Sequence, residues 1–388
     1  MKKLLVVLLT VLCMFTLVGC GGSEESSTAE DGSVTIKIGC SGPLTGDAAV
    51  YGLAVKNAAQ LAVDEINATD TKIKLDFNIE DDEADTEKAV TAYSALYDWG
   101  MQASLFTVTS GSGANVAKLY DEDQIFAITP SGSATALVYT DSENFEGNFQ
   151  MCFTDPNQGV ASADYMKEKF ADKKIAIIYK SDDVYSSGIF EKFSAQAKVV
   201  GLDVVYSEAF TTDTSTDFSA QLKGAQNAGA DLVYIPIYYQ PASIILKQAK
   251  DLEYTPVFFG VDGLDGILAL ENFDTTLAEG VYLLTPFAAD AQDELTKHFV
   301  TEFESKFGDT PNQFAADAYD CVYAIHQALE NIGADNLGDG LYDALISEFT
   351  TMTFDGLTGN QMKWAENGEV SKAPKAVVVE NGVYVSVQ

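Results

Sequence analysis

Strand-like and helix-like patterns of apolar residues follow one another along the chain from residue 34 onward. Val34, Ile36 and Ile38 alternate with polar positions, which predicts a half-buried strand, and the turn cluster Ser41-Gly42-Pro43 ends it. Between residues 52 and 67, apolar residues recur every three or four positions, as on one face of an α-helix. The folded part of the chain therefore opens as strand, loop and helix.

The same succession repeats in two series. The first continues with strands at 74–79, 104–108 and up to residue 128, and with helices at 86–99 and 113–121. The second, after Pro156, has strands at 174–179, 203–208, 232–237 and 257–259, and helices at 187–200, 218–228 and 241–250. Helices at 292–307, 312–332 and 340–349 and a hairpin of strands 376–379 and 383–387, turning at Asn381-Gly382, complete the chain. This order predicts the α/β class: two doubly wound parallel-sheet lobes with a ligand cleft between them.

The charge of the chain restricts its partners. The 388 residues include 58 Asp and Glu but only 23 basic residues, all of them Lys, which gives a net charge of −35. This negative balance argues against nucleic acid and other anionic partners. Because Arg is absent, a bound carboxylate would have to be held by hydroxyls, backbone amides or Lys.

The N-terminus predicts export and a membrane anchor. Lys2 and Lys3 precede an apolar run over residues 4–18, which is too short to cross about 30 Å of hydrocarbon and is typical of a signal peptide at 1–19. The run ends in Leu17-Val18-Gly19-Cys20, which resembles the lipobox of bacterial lipoproteins and implies a diacylated Cys20 as the mature N-terminus. We expect residues 20–33, which are polar and contain no large apolar side chain, to form a flexible linker.

Metal, cofactor and catalytic signals are weak. Cys40, Cys152 and Cys321 are an odd number of cysteines in apolar surroundings, which favours buried free thiols, and no Cys or His spacing indicates zinc. The acidic run 80–85 lacks the spacing of an EF-hand, which favours a solvated loop. Without a nucleophile elbow or a loop-borne His, a hydrolase is the least favoured function. We expect no cofactor, no metal and no enzymatic activity.

Hydroxyl- and glycine-rich loops follow two strands of the first series. Thr109-Ser110-Gly111-Ser112-Gly113 comes after the strand that ends at Val108, and Thr129-Pro130-Ser131-Gly132-Ser133 after the strand that ends at Ile128. Ligands of doubly wound sheets bind outside the carboxyl ends of the strands, so both loops are candidates to hold an anion. Either loop alone could be only a helix cap or a turn.

The same rule selects residues of the second series. Tyr185 follows the strand that ends at Tyr179, Tyr238 and Tyr239 follow the next buried strand, and Asp262 lies between glycines after residue 259. Aromatic rings can wall an apolar pocket, and a carboxylate can receive a ligand ammonium. Each residue alone is weak evidence, since Tyr is common in cores and Asp beside Gly is common in turns.

Several motifs together resemble the branched-chain amino acid (leucine/isoleucine/valine) binding proteins of ABC importers. The motifs are Gly39-Cys40-Ser41-Gly42-Pro43-Leu44-Thr45-Gly46 with Tyr51-Gly52, Asp64-Glu65-Ile66-Asn67, Asp81-Asp82, Ile128-Thr129-Pro130-Ser131 and Asp217-Phe218-Ser219. They occur in the family's order from about residue 34 to the C-terminus.

The resemblance implies a type I periplasmic-binding fold of two lobes with three hinge crossings. It assigns the ligand's α-carboxylate to Ser110, Ser131 and Ser133, its α-ammonium to Asp262, and pocket positions to Tyr51, Tyr185 and Tyr238. The last of these positions falls on either Tyr238 or its neighbour Tyr239. Asp262 stands where Glu is frequent in the family and is one methylene shorter, so the resemblance does not specify the ligand side chain.

The lobe boundaries expected for this fold are 34–153 with 285–355 for lobe 1, and 154–284 with 356–388 for lobe 2. The resemblance further implies a monomer on the outer face of the cell membrane, tethered through Cys20, that delivers an apolar amino acid to ABC permease subunits. A lipid anchor suits a Gram-positive-type bacterium. Two alternatives stay open: a ligand that is not an amino acid, such as an aromatic acid, an amide or a peptide, and a sensory binding subunit.

Overall fold

The computed structural model describes residues 32–387, so the predicted signal peptide and Cys20 lie outside the described residues. Two β-sheets, each flanked by helices, form two lobes. Among the helices of this range, none has the length and apolar run that crossing a membrane requires. The predicted α/β class with two parallel-sheet lobes is confirmed.

The first sheet has five parallel strands in the spatial order β2-β1-β3-β4-β5. The strands are β1 Val34–Gly42, β2 Ile73–Asp81, β3 Ala103–Thr107, β4 Phe126–Thr129 and β5 Asn148–Gln150. The second sheet has seven strands in the order β12-β11-β10-β9-β8-β6-β7. These are β6 Lys174–Lys180, β7 Asp203–Phe210, β8 Leu232–Ile235, β9 Val257–Gly260, β10 Tyr282–Thr285, β11 Lys375–Glu380 and β12 Val383–Ser386.

The two sheets share one topology. Strands β6 to β10 repeat the order 2-1-3-4-5 of the first sheet and are parallel, whereas β11 and β12 add an antiparallel hairpin at the edge. Asn381 and Gly382 both have positive φ, which confirms the predicted two-residue turn. Each sheet therefore has a switch point, between β1 and β3 and between β6 and β8, where a ligand crevice is expected.

Ten helices cover the sheets in the described range. They are α1 Ala49–Asn67, α2 Thr86–Trp99, α3 Ser110–Glu122, α4 Asp155–Lys169, α5 Val184–Val200, α6 Ser219–Asn227, α7 Tyr239–Asp251, α8 Glu294–Phe307, α9 Gln313–Ile332 and α10 Leu341–Phe349. Side-chain caps set several helix starts: Asp85 accepts from two backbone N–H groups of α2, and Gly100, in the left-handed region, caps the C-terminus of the same helix. Only α4, β5 and β10 were missed by the sequence patterns.

The chain passes between the lobes three times. It leaves the first sheet after β5, returns after β10 to build α8 and α9 against α1, and re-enters the second sheet at β11. Residues 362–370 still contact the first lobe: the Trp364 indole donates to the Gln150 carbonyl oxygen at 2.9 Å, and the Gln150 N–H donates to the Gly368 carbonyl oxygen. We therefore propose a third crossing near residues 371–374, later than the expected boundary at 355.

A fully buried ion pair lies at this third crossing. The Lys372 ammonium is 2.6 Å from an Asp317 carboxylate oxygen on α9, and the two side chains are 0% and 1% exposed. Lys372 also donates to the Thr358 hydroxyl at 2.7 Å. The neighbouring Asp320 accepts from the backbone N–H groups of Leu357 and Thr358. These contacts attach the crossing segment to α9.

The burial of the three cysteines agrees with the sequence prediction, whereas the burial of one residue in the acidic run 80–85 does not. Cys40, Cys152 and Cys321 are buried and free, as predicted. The interpretation of the acidic run 80–85 as a solvated loop is wrong for Asp82, which is 0% exposed. Its carboxylate accepts from the Ser41 hydroxyl at 3.3 Å and from the Ala84 N–H, and burial raises its pKa to about 6. Asp82 thus connects the loop after β2 to the end of β1.

Candidate functional site

The loops at the carboxyl ends of the strands meet between the two lobes. From the first lobe come the start of α3 after β3, residues 130–133 after β4, and Tyr51 in the first turn of α1. From the second lobe come Tyr185 in α5 after β6, Tyr238 just before α7, and Asp262 after β9. Hydrogen bonds and ring contacts connect these elements across the gap, so the structure brings the seven predicted residues together.

Five of the seven predicted residues line one small cavity. Its walls are Tyr51, Val108, Thr109, Ser131, Tyr185, Tyr238, Asp262, Gly263 and Phe314. Ser110 and Ser133 lie beside this wall, where the Ser110 hydroxyl oxygen accepts from the Ser133 N–H at 3.1 Å. The cavity volume of about 10 Å³ is at the lower limit for a single water molecule. An amino-acid-sized molecule would therefore enter only if the lobes separate.

Asp262 is a buried carboxylate held by neutral donors. It is 2% exposed; one oxygen accepts from the Tyr185 hydroxyl at 2.5 Å and the other from the Gln158 amide at 3.0 Å. Burial raises its pKa to about 7, although the hydrogen bonds from Tyr185 and Gln158 oppose the rise. None of the ion pairs of residues 32–387 involves Asp262, so it has no cationic partner within this range.

Local structure positions Tyr185 against this carboxylate. Asp183 caps α5 by accepting from the N–H groups of Tyr185 and Ser186, which fixes Tyr185 in the first turn. The Tyr185 hydroxyl donates to Asp262 and accepts from the Gly263 N–H at 2.9 Å. Both hydrogen-bonding functions of the phenol are used, so its ring has one defined position.

Tyr51 connects the lobes. Its hydroxyl, carried by α1, donates to the Gly263 carbonyl oxygen at 2.5 Å and accepts from the Tyr239 N–H at 3.2 Å. Its ring packs edge-on against Tyr238, with 5.5 Å between centroids, and Tyr238 in turn stacks on Tyr185 at 4.8 Å. Tyr238 lines the cavity, whereas the Tyr239 hydroxyl turns away and accepts from the Val50 N–H. Of the two neighbouring tyrosines, Tyr238 therefore faces the cleft.

The hydroxyl loops of the first lobe form a compact cradle. The Ser110 hydroxyl oxygen accepts from the N–H groups of Ser133 and Ala134, both at 3.1 Å, and the Ser131 hydroxyl donates to the Val108 carbonyl oxygen at 2.6 Å. Ser110 is also the first residue of α3, where backbone N–H groups and the helix dipole favour an anion. The cradle faces Asp262 across the cleft and carries no basic side chain.

The comparisons with known proteins agree with this architecture. A family model described as periplasmic binding protein matches residues 35–382. The chain belongs to the periplasmic binding proteins. Since this is a family of binding proteins, the prediction of a non-enzyme is confirmed.

Relatives of this binding protein are known in sequence and in structure. It is 26% identical, over 92% of both chains, to a leucine-, isoleucine-, valine-, threonine- and alanine-binding protein of Pseudomonas aeruginosa. It superposes with a TM-score of 0.79 and 26% identity on LivJ, the branched-chain amino acid transporter substrate binding protein of Streptococcus pneumoniae in complex with isoleucine, covering 91% of this chain and 100% of the other. A solute binding protein of an R. palustris ABC transporter in complex with benzoate shares the fold, with a TM-score of 0.81, 19% identity and coverage of 91% and 95%.

Two residues at this cleft, Gln158 and Phe314, were not predicted from the sequence, and Thr109 was part of the predicted loop 109–113 without a role of its own. Gln158 lies on α4, a helix that the apolar pattern did not reveal, and it fixes both the side chain and the backbone N–H of Asp262. Thr109 precedes Ser110, lines the cavity and has a buried hydroxyl without a hydrogen-bond partner among the described residues. The Phe314 ring lies 4.3 Å from that of Tyr51. Its position after a strand end placed Thr109 in the predicted loop, whereas no sequence signal indicated Gln158 or Phe314.

No metal centre accompanies this site in the described part of the chain, where no group of three or more His, Cys, Asp or Glu side chains could hold an ion. The three buried thiols also have pKa values raised by burial, which keeps them in the neutral form. The chemistry available at the cleft is therefore recognition by hydroxyls, backbone N–H groups, phenols and one carboxylate.

Proposed function

We propose that this binding protein captures a branched-chain or similarly apolar α-amino acid and delivers it to an ABC permease. The observation that carries the proposal is Asp262, a buried carboxylate that faces the hydroxyl cradle across the cleft and forms no ion pair with any residue of 32–387. A zwitterion supplies both missing charges at once. The names of the Pseudomonas aeruginosa relative and of LivJ support this ligand class.

The two lobes divide the recognition. Ser110, Ser131 and Ser133, together with the N-terminus of α3, would hold the α-carboxylate, and Asp262 would hold the α-ammonium with Tyr185 and Gln158 keeping its orientation. Because these groups lie on opposite lobes, both charges of the ligand are satisfied only when the lobes are closed. The free energy of binding is thereby coupled to closure.

The apolar part of the ligand would contact the rings of Tyr51, Tyr238 and Phe314 and the side chain of Val108. Rings that are already packed against one another lose little conformational entropy when a ligand arrives. The Tyr51 hydrogen bond to the Gly263 carbonyl oxygen joins the lobes at the wall of the same cavity. We propose that this bond forms on closure and breaks when the ligand is released.

Calorimetric titration of the purified protein with leucine, isoleucine and valine tests the proposal. We expect at least one of them to bind with 1:1 stoichiometry, and lysine and glutamate, whose charged side chains would be buried against the rings, to bind far more weakly. If none of the apolar amino acids binds while benzoate does, the ligand is an aromatic acid and the proposal is wrong.

We further propose that a lipid on Cys20 tethers the protein, as a monomer, to the outer face of the membrane. The Leu17-Val18-Gly19-Cys20 sequence and the polar linker that follows support this. A flexible tether would keep the lobes near the permease while they reorient. Cells fed an alkyne-labelled fatty acid should label the wild-type protein but not a Cys20→Ser variant, and equal labelling would exclude Cys20 as the acylated residue.

A further inference from the structure

A larger cavity, of about 520 Å³, lies beside the hinge and shares no lining residue with the interlobe site. It is enclosed by the end of β10, helix α8, the loop before α9, residues 265–269 and the hairpin of β11 and β12. Its volume is within the range of sites that bind small molecules in proteins. We call it the hinge cavity.

The lining of the hinge cavity is apolar and acidic. Leu283, Phe287, Val300 and Val377 contribute aliphatic and aromatic surface, whereas Asp290, Glu304 and Asp309 add carboxylates at more exposed positions. No Lys, Arg or His is among the residues that line it. The hinge cavity would therefore repel an anion and attract a cation that carries an apolar chain.

Asp265 is a buried carboxylate in the lining of this cavity. It is 4% exposed, and one oxygen accepts from the Gln313 N–H at 2.8 Å, while Oδ1 has no hydrogen-bond partner among residues 32–387. The Tyr384 hydroxyl accepts from the Gly266 N–H at 3.3 Å and donates to the Leu264 carbonyl oxygen at 3.4 Å. It also lies close enough to Asp265, as does the Gly266 N–H, to oppose the rise in the pKa of that carboxyl that burial causes. A buried carboxylate oxygen without a donor is costly, so a ligand that supplies one is strongly favoured.

We propose that the hinge cavity binds a small amphiphilic cation, namely a primary ammonium on an aliphatic or arylalkyl chain. The ammonium donates to Asp265, and the chain lies along Leu283, Phe287 and Val300. A free amino acid is a poor ligand, because its carboxylate would face Asp290, Glu304 and Asp309. This inference does not depend on which ligand the interlobe site takes.

Titration of the whole protein with hexylammonium chloride tests the inference, with hexan-1-ol as the neutral analogue. We expect hexylammonium to bind and Asp265→Asn to weaken it about ten- to a hundredfold, as for the loss of a charged hydrogen bond. Asn retains the acceptor for the Gln313 N–H, so the start of α9 is preserved. Val300→Phe places a larger side chain of α8 in the cavity and leaves Asp265 itself unchanged, so we expect it to abolish binding.

An Asp262→Asn variant shows whether hexylammonium binds in the hinge cavity or at the interlobe site. Hexylammonium should bind this variant as it binds the wild type, since Asp262 does not line the hinge cavity. The inference is overturned if hexylammonium does not bind up to about 10 mM, if it binds Asp265→Asn and Val300→Phe unchanged, or if Asp262→Asn alone removes it. Hexan-1-ol binding as tightly as hexylammonium would likewise show that the charge is not recognised.

Discussion

Replacing Asp262 by Asn is expected to weaken leucine binding by about 2 to 5 kcal/mol, roughly 30-fold or more. The variant keeps the shape of the side chain and an acceptor for Tyr185, but it removes the negative charge and turns an amide donor toward the ligand ammonium. The ammonium would then be buried without a counter-charge. Calorimetric titration of both proteins with leucine gives the ratio of dissociation constants.

The pH dependence of the same titration shows whether Asp262 acts through its charge. Burial raises its pKa to about 7 in the closed arrangement of the lobes that the structure shows, so a proton must leave before an ammonium can pair with it there. The affinity of the wild type should therefore fall as pH falls below 7, by roughly tenfold per unit down to pH 5. Asp155 and Asp183, whose pKa values burial also raises, remain in the variant, so the difference between the two profiles isolates Asp262. If the wild type and the Asp262→Asn variant bind leucine equally tightly, or if their affinities change in parallel with pH, Asp262 does not bind the ligand ammonium.

The second large expected effect is a loss of folding stability when the buried ion pair at the third crossing is broken. Lys372→Met is expected to lower the free energy of unfolding by about 3 to 5 kcal/mol, because it leaves the carboxylate of Asp317 buried without its cation. Burial already raises the pKa of Asp317 to about 6 despite the adjacent ammonium, so a proton would replace part of the lost charge as pH falls. The loss of stability should consequently be larger at pH 8 than at pH 5. Urea denaturation at the two pH values measures it.

Lys306→Met is the matched control for this prediction. Lys306 also pairs with an aspartate, Asp64, at 2.5 Å, but both side chains are substantially exposed. An exposed pair contributes less than about 1 kcal/mol, so this variant should unfold almost like the wild type. A second check is Lys372→Met combined with Asp317→Asn, which should recover part of the stability. If Lys372→Met costs no more than Lys306→Met, the buried pair does not hold the crossing segment.

Most of the site was visible in the sequence because parallel sheets obey a topological rule. Once the alternation of strands and helices is recognised, the carboxyl end of each strand is known, and Ser110, Ser131, Tyr185 and Asp262 all follow such ends. Gln158 was not visible, since α4 buries small and polar residues and packs closely on α5. A Cβ at Gly159 would come within 2.7 Å of the Ile189 carbonyl oxygen, so this helix carries no strong apolar stripe.

The third crossing between the lobes was harder to predict from the sequence. Lys372 lies in a polar stretch without periodicity, and nothing local marks it as buried. Its partners did carry a signal, because Asp317 and Asp320 interrupt the apolar face of α9, and a charged residue on such a face requires a partner. Which Lys that partner is depends on tertiary contacts. The boundary at residue 355 was expected from the fold that the family resemblance implies, whereas Trp364 and Gly368 still contact β5.

The most direct test of the amino-acid proposal is the leucine titration beside a titration with 4-methylpentanoate, which is leucine without its amino group. The carboxylate and the branched chain are the same in both molecules, so the ratio of affinities reports the ammonium alone. We predict that leucine binds at least about 30-fold more tightly at pH 8, where Asp262 is ionised. If 4-methylpentanoate binds as tightly as leucine, the site does not recognise an amino acid.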